Sequence, residues 1–178
     1  MAMKRITIDE LREIAKAAAG KIDKIYLHWT AGNYHQFYYD YHLLIDNDGA
    51  IIASTDDLTE VKAHTWRRNS RSIGVAMCCC VDAKCWADGR VDFGSVPPTS
   101  EQIDGMAQAV AAICKEMKLP IVDNVVMTHC EAAEKDCYGP STTCERWDLW
   151  KLPDLPGDGK IKPGGDVIRG KAIWFQNN

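Results

Sequence analysis

Residues 99–129 read TSEQIDGMAQAVAAICKEMKLPIVDNVVMTH, and the fold class turns on this stretch. Thr99-Ser100-Glu101-Gln102 is a capping box: the threonine hydroxyl accepts the backbone N–H three residues on, and the glutamine side chain returns to the threonine N–H. Ile103, Met106, Val110, Ile113 and Met117 then recur every three to four residues, the spacing of one apolar helix face, until Pro120 ends the run. After the turn, Asn124–Thr128 (NVVMT) reads as a short strand that delivers His129 at its end. A long helix followed at once by a buried strand is a unit of an α/β fold.

Toward the N-terminus, Thr7-Ile8-Asp9-Glu10 is a second capping box, and Leu11, Ile14, Ala15 and Ala18 predict a helix over 8–19 that Gly20 closes. Ile22–His28 (IDKIYLH) reads as a strand and Trp29-Thr30-Ala31-Gly32-Asn33 as a loop, which leaves His28 at a strand end. Tyr41–Ile45 and Ile51–Thr55 are strands joined by Asp46-Asn47-Asp48-Gly49, a hairpin signal. Residues 56–71 form a polar loop with His64, Ser72–Cys80 a third strand, and 82–98 a long loop. Beyond His129 the chain reads as irregular to Thr143, Trp147–Leu152 as a short helix, and 153–178 as a Gly- and Pro-rich tail ending in the apolar patch Val167–Phe175. The expectation is a single α/β domain with a mixed central β-sheet flanked by helices. Residues 1–152 form its functional unit, and 153–178 a C-terminal extension packed on the same domain.

With 178 residues, 46% of them hydrophobic, the chain can bury a core without staples. The net charge of -4 leaves no basic stripe for a phosphate backbone, which excludes nucleic acid as a partner. The N-terminal residues MAMKRITIDELREIAKAAAG lack the continuous apolar core of a signal peptide, and no run approaches the roughly 20 apolar residues of a membrane span. Cytoplasmic synthesis without membrane insertion is therefore expected, with any action outside the cell depending on another route of release. The eight cysteines form no paired CxxC clusters, so free thiols are expected, and Cys78, Cys79 and Cys80 read as small buried residues of a strand.

His28 and His129 each stand where a hydrophobic strand gives way to a loop, and strand ends on one side of a sheet are where α/β proteins assemble sites. Cys137 follows His129 by eight residues. Two imidazoles and a thiolate suit zinc, and three protein ligands leave the fourth tetrahedral position open, as catalytic sites require. Each of the three also reads as a core or loop residue with no metal.

Several separated segments now agree in order with one family. They are His28-Trp29-Thr30-Ala31-Gly32, Tyr41-His42-Leu43-Leu44-Ile45-Asp46 with Asp48-Gly49, His64 followed by Asn69-Ser70-Arg71-Ser72-Ile73-Gly74-Val75, and His129 with Lys135 and Cys137. Over about residues 22–150 the chain resembles the type 2 N-acetylmuramoyl-L-alanine amidases, which include phage lysozymes of the amidase type and the peptidoglycan recognition proteins. The resemblance implies one zinc ion per chain held by His28, His129 and Cys137, with Tyr41 near the reacting water and Lys135 beside the developing oxyanion. Aspartate is the third ligand in the branch that recycles cell-wall fragments in the cytosol, so Cys137 places the chain nearer the phage and recognition-protein branch. His64 is implied as a cleft residue, and the aromatic faces of Trp29 and Trp66, with Arg67, suit contact with sugar. His42 alternates with Tyr41 and reads as structural; Glu131 reads as a solvated loop residue or a rival proton shuttle. Many relatives place Pro-Gly directly after the third ligand, whereas here Tyr138 intervenes before Gly139-Pro140. Cys130 and Cys144 bracket that loop, as a possible disulfide or a rival thiolate.

The implied activity is hydrolysis of the amide between N-acetylmuramic acid and L-alanine in peptidoglycan by a bacteriolytic endolysin or an interbacterial toxin, the latter with an immunity protein as partner. Two alternatives stand beside it. One is a recognition module that binds peptidoglycan without cutting it. The other is a cysteine hydrolase built on Cys137 or Cys79, which a chelator would spare.

Overall fold

Both capping boxes close as the sequence predicts. In the computed structural model, which describes residues 2–178, the Thr7 hydroxyl accepts from the Glu10 N–H and the Thr99 hydroxyl from the Gln102 N–H, each with its reciprocal bond. Met1, the first residue of the expected functional unit, lies outside the described residues. The elements run β1 (Lys4–Ile6), α1 (Ile8–Ala18), β2 (Lys24–Trp29), β3 (Leu43–Ile45), β4 (Ile51–Ala53), β5 (Ser72–Met77), β6 (Lys84–Cys85), β7 (Val91–Asp92), α2 (Ser100–Met117), β8 (Val126–Thr128), α3 (His129–Lys135), β9 (Lys151–Pro153), β10 (Ile161–Pro163) and α4 (Gly164–Asn177).

The main sheet has the order β1-β4-β3-β5-β2-β8. β3, β5, β2 and β8 are parallel, while the predicted hairpin makes β4 antiparallel to β3, and β1 adds an antiparallel edge to β4. Side-chain alternation then divides the sheet into two chemically different faces. Ile25, Leu27, Leu43, Ile45, Ile73, Val75 and Met77 join one core with α1, α2 and α4, in which α2 touches both other helices. Tyr26, His28, Leu44, Gly74, Ala76 and Cys78 fall at the alternate positions, and that face is covered by the short α3 and by loops. All three long helices thus lie on one side, leaving the other open for a site.

Several elements differ from the reading of the sequence. Residues 129–135 are helical, because Thr128-His129-Cys130-Glu131 is a third capping box whose reciprocal bonds both form. The run after it is too short and too rich in alanine to show a helical period. Residues 147–152 form no helix: Leu149 adopts a left-handed backbone, and Lys151–Pro153 pairs with Ile161–Pro163 instead. β3 begins only at Leu43, so Tyr41 and His42 precede the strand, and the tail's apolar patch lies in α4. Finally, β5 ends at Met77, although Cys78, Cys79 and Cys80 beyond it are fully buried. No helix of the described residues is long and apolar enough to cross a membrane.

Candidate metal centre

The parallel pairing of β2 with β8 sets Leu27 opposite Thr128, so the next residue of each strand, His28 and His129, stand side by side at the carboxyl end of the sheet. Their rings are 4.8 Å apart and edge-on. Between them lies the carboxylate of Asp148, whose Oδ2 is 3.0 Å from His28 Nδ1 and 3.3 Å from His129 Nδ1. All three residues are buried, and one ligand atom from each falls within 4.8 Å of the others. Burial alone would raise the Asp148 carboxyl, but the imidazoles of His129 and His28 hold it below the ordinary carboxylate range. Burial lowers the His28 imidazole against the opposing pull of Asp148.

Asp148 comes from the loop ahead of β9, and three contacts fix that loop. The Cys130 N–H donates to the Asp148 carbonyl, the Gly164 N–H at the start of α4 donates to the Trp150 carbonyl, and a Cβ at position 164 would sit on the Leu149 carbonyl oxygen. Only glycine lets α4 begin this close to the loop. On the far side of the two imidazoles, Thr65 Oγ1 lies 3.4 Å from His28 Nε2 and Tyr138 Oη 3.4 Å from His129 Nε2, which leaves both Nδ1 atoms directed at Asp148.

This donor set fits zinc. Tetrahedral bonds of about 2.0–2.1 Å separate neighbouring ligand atoms by roughly 3.3 Å, close to the 3.0 and 3.3 Å found here. Two imidazoles and a carboxylate are also the ligand set of known catalytic zinc centres. The group lies on a cavity of about 950 Å³ whose lining includes Tyr41, His64, Trp66, Tyr138, Arg146 and Trp147.

Comparison with known proteins matches residues 18–146 to the family described as N-acetylmuramoyl-L-alanine amidase. The chain belongs to this amidase family. It is also similar to an endolysin of Klebsiella phage KP32, 30% identical over 115 residues, which span 65% of this chain and 66% of that protein.

Within this amidase fold, the residues singled out from the sequence fall in different places. His28 and His129 are brought together, while Cys137, expected as the third ligand, is exposed on the cavity wall outside the buried group, and the carboxylate that lies between the two imidazoles is that of Asp148. Helix α3 explains the difference. Lys135 lies six residues beyond His129, about 9 Å along a helix axis, so it is exposed and lines no part of the cavity. Cys137 follows it with a left-handed backbone (φ 63°). The family match ends two residues before Asp148.

Tyr41 lies 5.0 Å ring to ring from His28; burial, and then the Asp148 charge, raise its phenol, so it remains a protonated donor. Trp29 ends β2 rather than opening a loop and is nearly buried, its ring edge-on to both Phe93 and Trp147. Trp66 is 54% exposed on the rim, with the Arg67 guanidinium 4.3 Å from its ring centre and Tyr138 edge-on at 5.6 Å. Arg68 pairs through two bonds with Asp136 and ties this rim to the end of α3. Glu131, read as a solvated residue or a proton shuttle, caps α3 and accepts two bonds from Arg169 of α4.

His64 is buried, its Nδ1 2.9 Å from Thr65 Oγ1 and its ring packed on Gly74, where a Cβ would come within 2.6 Å of it. Burial, then the neighbouring His28, push its pKa down to about 2. His42 accepts from the Gly74 N–H at Nδ1 and donates from Nε2 to the Glu60 carbonyl, which fixes one neutral tautomer. Burial pushes its pKa from 6.5 to about 4.

A stability prediction follows from His42. Between pH 6.5 and 4 the unfolded chain takes up a proton there that the folded chain does not, so stability is complete above pH 6.5 and falls as the pH drops toward 4. The full contribution is on the order of 3 kcal/mol. Urea titrations of metal-free protein at pH 7 and 4.5 should show a smaller loss in His42→Gln than in wild type. Equal losses would remove His42 from the account.

Proposed function

We propose that this chain hydrolyses the amide between N-acetylmuramic acid and L-alanine of peptidoglycan, using one zinc ion held by His28, His129 and Asp148. The observation that carries the reading is the convergence of His28 Nδ1, His129 Nδ1 and Asp148 Oδ2 beside an open cavity. Bound there, zinc would act as a Lewis acid toward the scissile carbonyl and generate a nucleophile from water near neutral pH.

The chain's own residues supply the rest. Arg146 lines the cavity two residues before Asp148, the same spacing that the family resemblance gave to Lys135 and Cys137. Its fixed positive charge stabilises the negative charge that grows on the carbonyl oxygen. The Tyr41 phenol, kept protonated by burial, donates a hydrogen bond to the same oxygen or orients the attacking water. Thr65 and Tyr138 hold the two imidazoles in register. Trp66, backed by Arg67 and Tyr138, offers an exposed aromatic face to a sugar ring, and His64 closes the inner wall. The family membership and the endolysin relative support a lytic role on the cell wall.

Purified peptidoglycan should release stem peptides that begin with L-alanine. Prolonged chelation should abolish the release, and added zinc should restore it at one ion per chain. Unchanged release from metal-free protein would overturn the zinc reading and favour a cysteine nucleophile.

A further inference from the structure

Cys85 and Cys144 are 59 residues apart in sequence, yet their sulfur atoms lie 3.4 Å from one another at the protein surface. Cys85 belongs to β6 and is partly exposed, and Cys144 is exposed; of the other six cysteines, five are buried. Cys130, which flanks the same loop as Cys144, is among the buried ones, and burial raises its thiol.

The two segments already dock on each other. Trp29 sets its ring edge-on to Phe93, just past β7, and to Trp147, three residues past Cys144. Across the hairpin turn, a Cβ on Gly89 would touch the Trp150 ring. By contrast, the N–H groups of Cys144, Glu145 and Arg146 bond only within their own loop, to the carbonyls of Gly139 and Tyr138. Residues 141–146 are all exposed.

We propose that Cys85 and Cys144 are a cross-linking site, closed by thiol–disulfide exchange with a small oxidised disulfide. Cys144, the more exposed thiol, loses its proton and attacks one sulfur of the small disulfide, releasing the other half as a thiolate. The Cys85 thiolate then attacks Cys144 Sγ in the mixed disulfide and releases the second half. The two cysteines are oxidised by two electrons, the small disulfide is reduced to two thiols, and the two cysteine protons pass to the released thiolates. The sulfur atoms need only close from 3.4 Å to the roughly 2 Å of a bond. The cross-link fastens the loop to the β6–β7 hairpin two residues before Arg146 and four before Asp148, so it restrains the segment that supplies both.

The test uses the full chain loaded with zinc, first reduced and desalted, then incubated with oxidised glutathione. Unreduced peptide mapping by mass should find the Cys85 peptide joined to the Cys144 peptide, with two fewer free thiols. The melting temperature should rise by roughly 5 °C and return on reduction, whereas Cys85→Ser and Cys144→Ser should show no oxidant-dependent rise. Recovery of glutathione adducts alone, or of Cys144 joined to Cys137 or Cys130, would overturn the proposal. The mapping is made on the wild-type chain, so a variant that folds poorly does not decide the outcome.

Discussion

Asp148→Ala should bring zinc content to background and abolish peptidoglycan hydrolysis, while Cys137→Ala keeps both. The carboxylate is buried between two imidazoles at 3.0 and 3.3 Å; removing it leaves two neutral ligands and a void where the anionic one stood. Loss of a residue that merely orients a ligand costs about 10–100-fold in affinity or activity, and loss of the ligand itself should exceed that. Cys137 is exposed, and a surface substitution changes the energetics by about 0.5 kcal/mol or less, roughly a twofold change in rate. Asp148→Asn separates charge from shape, since it retains the volume but not the anion; it should bind zinc weakly and turn over slowly. Metal analysis of the three variants, paired with stem-peptide release, makes the comparison. Full zinc and full turnover in Asp148→Ala, with both lost in Cys137→Ala, would return the third position to the thiolate.

Arg146→Ala should lower kcat by about a hundredfold or more and leave zinc content unchanged, because a donor aimed at charge that appears only in the transition state contributes little to holding the metal. Arg146→Lys keeps the charge but loses the planar fork, so part of the rate should return. Lys135→Ala serves as the control. Lys135 is exposed at the end of α3 and outside the cavity lining, so its loss should leave turnover within about twofold of wild type. Steady-state kinetics on a soluble muropeptide would distinguish the two residues. A large effect at Lys135 with none at Arg146 would reverse the assignment and imply that the loop after α3 rearranges on substrate.

Much of the fold could be read from local signals, because capping boxes, a proline stop and an Asp-Gly turn act over a few residues and survive into the structure unchanged. The pairing of His28 with His129 was legible for a related reason: both close hydrophobic strands, and parallel neighbours bring such ends together. Asp148 was not, since Arg146-Trp147-Asp148-Leu149 has no period, and its aspartate resembles any loop carboxylate until β9 and α4 fix its place. One missed signal was present, however. Thr128 and Glu131 form the same capping box as Thr7 with Glu10 and Thr99 with Gln102, and a helix over 129–135 carries Lys135 away from His129.

The backing of Asp148 bears on how such a site could be grafted. A cut after residue 152, where the chain first reads as changing from unit to appendage, would divide β9. It would also remove β10, Gly164 and Arg169, and with them the Trp150 carbonyl's partner and the guanidinium that clamps Glu131. The excised piece would still contain His28, His129 and Asp148, yet of the three contacts that fix the loop presenting the carboxylate only the bond from the Cys130 N–H would remain. A transplantable cassette must therefore run through α4, and chimaeras joined at 152 should keep every ligand and lose the metal.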